Sequence, residues 1–75
     1  MFDKKLFGST LKALRTARGD SQAELGVVLG VTKTQVSDIE NGKVATSVER
    51  LVALADYFGV SLDYLVGRSD DPYKL

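Results

Sequence analysis

The sequence predicts an all-α fold of five helices, and three observations predict it. Apolar residues recur at three- and four-residue spacing along most of the chain, as on helices with one buried face. Two capping boxes, Ser21 with Glu24 and Thr32 with Gln35, each open such a run. No stretch reads convincingly as a strand.

The first segment runs from about Lys4 to Arg18, with Phe7, Leu11 and Leu14 on one face and Gly19 as its stop. The second spans about Gln22 to Leu29, anchored by Leu25 and Leu29. The third, Lys33 to Asn41, turns Val36 and Ile39 inward and stops at Gly42. Val31 before its cap and Val36 within it form a hydrophobic staple. The fourth, about Val48 to Phe58, carries the stripe Leu51, Leu54, Ala55 and Phe58. Either Ser47 or Thr46 caps it, and Thr46 with Glu49 makes a third candidate box. Gly59-Val60 suits a Schellman ending, after which Ser61 caps a short fifth helix, Leu62 to Val66. Residues 1–69 form one domain, and 70–75 read as a flexible tail.

Where the second segment gives way to the cap of the third, Leu29-Gly30-Val31 leaves room for only a turn. The chain must turn sharply there, so the third helix crosses the second steeply. Two helices so joined form a helix-turn-helix, whose second helix is shaped to enter the DNA major groove.

Composition narrows the function classes. With 75 residues there is room for one core. The chain has no cysteine and no histidine, which excludes a disulfide framework, a cysteine metal cluster and the usual general base. With no glycine-rich phosphate loop and no recognisable carboxylate pair, an enzyme is not expected, nor any metal or cofactor. No signal-peptide pattern or membrane-length apolar run appears, so the expected compartment is the cytoplasm. Ten basic and ten acidic residues cancel, but unevenly: residues 1–43 hold seven basic against five acidic, and residues 44–75 three against five. The helix-turn-helix half is mildly positive. Weak non-specific DNA affinity follows, because that affinity comes from phosphate neutralisation.

Five blocks stand in order along the chain: Leu11-x-x-Leu14-Arg15, Ser21-Gln22-x-Glu24-Leu25, Gly30-Val31-Thr32, Val36-Ser37-x-Ile39-Glu40-Asn41-Gly42, and Leu54-Ala55-x-x-Phe58-Gly59-Val60-Ser61-Leu62-x-x-Leu65. Together they resemble the Cro and phage-repressor type of helix-turn-helix proteins, over Phe7 to Leu65. The resemblance implies a compact five-helix repressor-type domain, in which Arg15 pairs with Glu40 to tie the first helix to the end of the third. As exposed charges the two would be worth under ~1 kcal/mol. Each directly follows a core residue, however, which favours a pair at the core margin.

Lys33, Thr34, Ser37, Asp38 and Asn41 lie on the face of the third helix opposite Val36 and Ile39. The first residues of a recognition helix reach deepest, so Lys33 and Thr34 are the expected base readers. The resemblance adds Asp38, which would accept from cytosine but is repelled by phosphates. Gln22, whose counterpart in the family bonds a phosphate and braces the recognition helix, joins Asn41 and Lys43 as an expected backbone contact, assisted by Gln35 and Ser37. Without the resemblance the same residues read as an ordinary solvated helix face.

Three departures from the family pattern stand out. Asp20 replaces an apolar residue and is expected to weaken the entry to the second helix; Gly26 replaces alanine at about 1 kcal/mol of propensity. Val27 and Val28 replace polar residues, leaving either a core edge or an exposed apolar spot. Tyr57, Tyr64, Val66, Tyr73 and Leu75 remain once the core is assigned. The first three are the candidate dimer interface, since relatives dimerise through this region. The expected function is a sequence-specific transcriptional regulator, a repressor bound as a homodimer to a palindromic double-stranded DNA operator. The competing reading is a protein-interaction module, such as an antitoxin or accessory factor with a regulatory protein partner. It rests on Val27-Val28 and the neutral net charge.

Overall fold

Five helices follow one another in a computed structural model that describes residues 2–73: α1 (Lys4–Arg18), α2 (Gln22–Leu29), α3 (Lys33–Glu40), α4 (Val48–Phe58) and α5 (Leu62–Leu65). Among the described residues there is no strand. The third and fifth helices each stop one residue short of the sequence expectation, the ordinary scatter at helix ends.

Local hydrogen bonds explain the boundaries. The Asp3 carboxylate accepts from the N–H groups of Lys5 and Leu6, at 3.0 and 3.1 Å, and starts α1. Both capping boxes close in full. Ser21 Oγ accepts from Glu24 N while Glu24 accepts from Ser21 N, and Thr32 and Gln35 repeat the exchange. Gly30 ends α2 at φ 71°, a left-handed conformation that side chains disfavour, and the chain reverses into the cap of α3 within two residues. The third box does not form. Ser47 Oγ caps α4 by accepting from Arg50 N at 3.2 Å, and the Thr46 hydroxyl is buried without a partner.

The amphipathic faces meet around Phe7, Leu11, Leu25, Val36, Leu54 and Leu65, all fully buried. Each such side chain contributes about 1.5–3 kcal/mol by leaving water. Leu14, Leu51 and Phe58, read as core from their spacing, sit half-buried against this centre, and Val60 is buried instead. The α2–α3 contact is the most extensive, with α1 packed across α3.

That second contact depends on Gly8, inside α1. A Cβ there would lie 2.4 Å from the Ile39 carbonyl oxygen and 2.6 Å from that of Glu40, so α1 rests directly on the end of α3. Gly26 works similarly within the motif: a Cβ would lie 2.7 Å from the Val31 carbonyl oxygen. Its propensity cost thus accompanies a closer turn. Residues 71–73 of the expected tail turn back toward α5, where Ser61 N donates to the Pro72 carbonyl at 2.9 Å. Leu75 lies outside the described residues.

Candidate nucleic-acid interface

One buried carboxylate ties the end of α3 to the two helices before it. Glu40, at its last turn, accepts from Arg15 Nε at 2.5 Å and from Arg15 Nη2 at 3.1 Å. Its Oε1 also accepts from Gln22 Nε2 at 3.1 Å, and Arg15 Nη1 donates to the Asp20 carbonyl at 2.8 Å. One side chain therefore joins α1, the start of α2 and the end of α3. The side chains are 1% exposed for Glu40 and 11% for Arg15. This is a desolvated, hydrogen-bonded pair, not a surface contact. The bond to Glu40 raises the Arg15 pKa above its ordinary value; burial opposes the shift, and the nearby Glu40 and Asp20 charges reinforce it.

With its last turn held, α3 presents its first turn outward. Lys33, Thr34 and Gln35 are exposed. Lys33 offers donors suited to guanine O6 or N7, and Thr34 a hydroxyl and a methyl. Gln35 commits its carbonyl oxygen to Thr32 N at 2.8 Å, and its amide hydrogens are of a kind that can donate to a phosphate. Ser37 and Asp38 are half-buried; Ser37 Oγ accepts a long bond, 3.4 Å, from Asn41 Nδ2. Lys43 Nζ lies 4.0 Å from Asp38 Oδ1, so a cation accompanies the one acid of this face. That moderates the repulsion expected between Asp38 and phosphates. Asn41 and Lys43 are exposed where the chain leaves α3. The structure thus gathers Lys33, Thr34, Gln35, Asp38, Asn41 and Lys43 along one helix and its exit, and braces that helix through Gln22.

The candidate dimer residues are less alike. Tyr57 donates its hydroxyl to Asp20 Oδ2 at 2.7 Å and lies beneath the Arg18 guanidinium, 4.1 Å from the ring centroid. Arg18 also bonds the Tyr57 carbonyl at 3.3 Å and pairs with Asp20 at 3.2 Å. These contacts clasp α4 to the corner between α1 and α2. The bond to Asp20 raises the Tyr57 pKa above its ordinary value, with a smaller contribution from burial, while the nearby Arg18 cation opposes the shift. Asp20, expected to weaken the entry to α2, instead anchors that corner: its carboxylate accepts from Tyr57 and pairs with Arg18, and its carbonyl accepts from Arg15. Tyr64 and Val66 are half-buried, and Tyr64 lies beside α1 on a shallow groove shared with Ala13, Leu14 and Ala17. Val27, 82% exposed, and Val28, 43% exposed, form an apolar spot on the outside of α2 and not a core edge.

Sequence reasoning missed Gly8 and the Asp20 anchor. A glycine inside an otherwise regular helical pattern was the available signal for the first, since its propensity cost calls for a packing reason. Nothing local marks the second.

Against this geometry stand the similarities to known proteins. The helix-turn-helix family profile matches residues 11–65. The chain belongs to the helix-turn-helix family. Among its relatives in that family is a prophage-derived, uncharacterised helix-turn-helix transcriptional regulator, YonR of Bacillus subtilis, 36% identical over 61 residues. The match takes in 81% of this chain but 56% of YonR, so the chain spans little more than half of that relative. The ImmF control region 10 kDa protein of Bacillus phage phi105 is 34% identical, over 87% of this chain and 72% of its own length. Among solved helix-turn-helix structures, the P22 c2 repressor in complex with a synthetic operator superposes at a TM-score of 0.78 with 31% identity, covering 85% of this chain and 97% of that one. The fold also occurs within a longer enzyme. Hydroxypropylphosphonic acid epoxidase of S. wedmorenis matches at a TM-score of 0.78 and 27% identity, over 87% of this chain but 35% of the epoxidase.

Proposed function

We propose that this helix-turn-helix domain binds double-stranded DNA sequence-specifically and regulates transcription, acting as a repressor that occupies a palindromic operator as a two-fold homodimer. The observation that carries the reading is the exposed first turn of α3, with Lys33 and Thr34 outward, on a helix whose last turn is locked to α1 and α2 through Glu40. In a major groove it is the first residues of such a helix that reach the base edges. Similarity to the P22 c2 repressor along 97% of that chain supports it. Lys33, Thr34 and Asp38 read bases in this proposal, while Gln22, Gln35, Ser37, Asn41 and Lys43 position the backbone. The domain works beside its DNA, in the cytoplasm; among the described residues no helix is long and apolar enough to cross a membrane.

An operator selected from random duplexes supplies the test. Lys33→Ala and Thr34→Ala, both at exposed positions, are expected to leave thermal stability nearly unchanged. Each should lose about 1–3 kcal/mol of discrimination at one or two base pairs. Full retention of operator preference by both variants rules out the base-reading assignment.

A two-fold dimer makes a second expectation. Its recognition helices must meet successive major grooves on one side of the duplex, so half-site centres lie about 34–36 Å apart. Inserting about half a helical turn between half-sites should abolish high-affinity binding. Tyr64→Glu should weaken binding without altering the preferred bases, because Tyr64 lies beside α1 and not on α3. Indifference to both changes indicates a monomer on one half-site.

The exposed Val27-Val28 pair favours one other reading, a protein-interaction module with a protein as its principal partner. The same selection separates the two. A module of that kind yields no enriched operator, and its residual DNA affinity is the same for selected and random duplexes.

A further inference from the structure

Lys5, at the start of α1, stands apart from the residues assigned above, and its surroundings are unusual for a surface lysine. A Cβ placed on Gly42 would lie 2.7 Å from Lys5 Cγ and 2.9 Å from Lys5 Cα. The base of the Lys5 side chain therefore runs directly across Gly42, and Gly42 sits between Asn41 and Lys43, the exit of α3. With φ at 74°, Gly42 is itself in a conformation that favours glycine, and the absence of a side chain there is what lets α1 approach. Phe2, Asp3, Lys4 and Lys5 line an open hollow with Gly42 on its wall. Phe2 packs its ring 5.7 Å from that of Phe7, which fastens this segment to the core.

The charges around the hollow are of both signs. Asp3 lies in it, but one of its oxygens already accepts the N–H groups of Lys5 and Leu6. Asp38 is next to Lys43. The ammonium groups of Lys4 and Lys5 pair with no carboxylate in the salt bridges found among the described residues, and both residues are exposed. A flexible stem fixed at its base and ending in an unneutralised ammonium suits a phosphate better than a base edge.

We infer that Lys5, flanked by Lys4, extends the DNA interface beyond the two helices of the motif and holds the phosphate backbone where it passes the exit of α3. The inference rests on the DNA-binding reading above and deepens it. It also bears on the weak overall charge, because it adds cations at a point contiguous with Asn41 and Lys43. The contact is sequence-independent, so it raises affinity for all duplexes alike.

Lys5→Gln tests it. Glutamine retains the carbons that lie over Gly42 and removes the charge; Lys5→Arg retains both. Affinity for a mixed-sequence duplex and for the selected operator would be measured across salt concentrations by a solution titration. In Lys5→Gln the slope of log affinity against log salt should be shallower by about 0.9, one phosphate contact, on both duplexes. Over a fourfold rise in salt this variant should lose about 3.5-fold less affinity than the parent. Lys5→Arg should keep the parental slope, and neither variant should change the preferred bases. A parental slope in Lys5→Gln overturns the inference while leaving the DNA reading intact; so does a uniform loss of affinity with unchanged slope, which would mark a packing role. A parent protein with no salt-dependent affinity for either duplex overturns the DNA reading and the inference with it.

Discussion

Glu40→Ala is expected to cost about 3–5 kcal/mol in denaturant unfolding, because it strands a desolvated guanidinium. Typical domains hold only about 5–15 kcal/mol in all, so the loss is a large fraction of the total and the melting temperature should fall steeply. The reasoning is structural. Arg15 loses both of its carboxylate bonds, Gln22 loses the acceptor of its amide, and the site is nearly closed to water. Arg15→Ala should be similarly damaging, since it leaves the 1%-exposed Glu40 carboxylate with Gln22 as its one remaining side-chain donor. The double variant should lose less than the sum of the two, with a coupling of about 0.5–3 kcal/mol. Additive losses within error would show that the two side chains are not energetic partners. Operator affinity should fall further than unfolding alone explains in any variant that remains folded, since the same carboxylate ties the end of α3 to α1 and α2.

Gly8→Ala should also destabilise the domain, and its sign is the informative part. In an exposed helix interior this change stabilises by about 1 kcal/mol. Here the new methyl meets the Ile39 and Glu40 carbonyl oxygens at 2.4 and 2.6 Å, and these are backbone atoms that cannot rotate away. Either α1 lifts from α3 or the end of α3 shifts, at a net loss of about 1–3 kcal/mol. Thermal unfolding reads the sign directly. A rise in melting temperature would mean that the α1–α3 contact has room to relax. Any lifting also draws Arg15 away from Glu40, so operator binding should weaken although Gly8 is buried and is none of the proposed DNA contacts.

Both predictions depend on juxtapositions that differ in how openly the chain announces them. The limits of α2 and α3 were legible to within a residue because their caps are local: Ser21 and Glu24, or Thr32 and Gln35, exchange bonds three residues apart. The fourth helix shows the limit of that logic. Ser47 and Thr46 are both good caps by chemistry, and only the path of the incoming loop placed Ser47 at the helix start and buried Thr46. The Arg15–Glu40 pair was legible from the family resemblance and from its neighbours Leu14 and Ile39. The third member, Gln22, entered the sequence reading as a brace and phosphate contact; its bond to Glu40 required the structure.

By itself, then, the sequence determined five helices, the turn at Gly30, most of the buried faces and the exposed start of α3, since each follows from interactions within about one helical turn. Tertiary structure decided the rest. That Asp20 anchors Tyr57 across 37 residues, that Gly8 is the seat of α3, that Val27 and Val28 face outward, and that Lys5 lies over Gly42 all depend on how helices cross. A crossing is set by the packing of whole faces at once, and no short window of residues contains it.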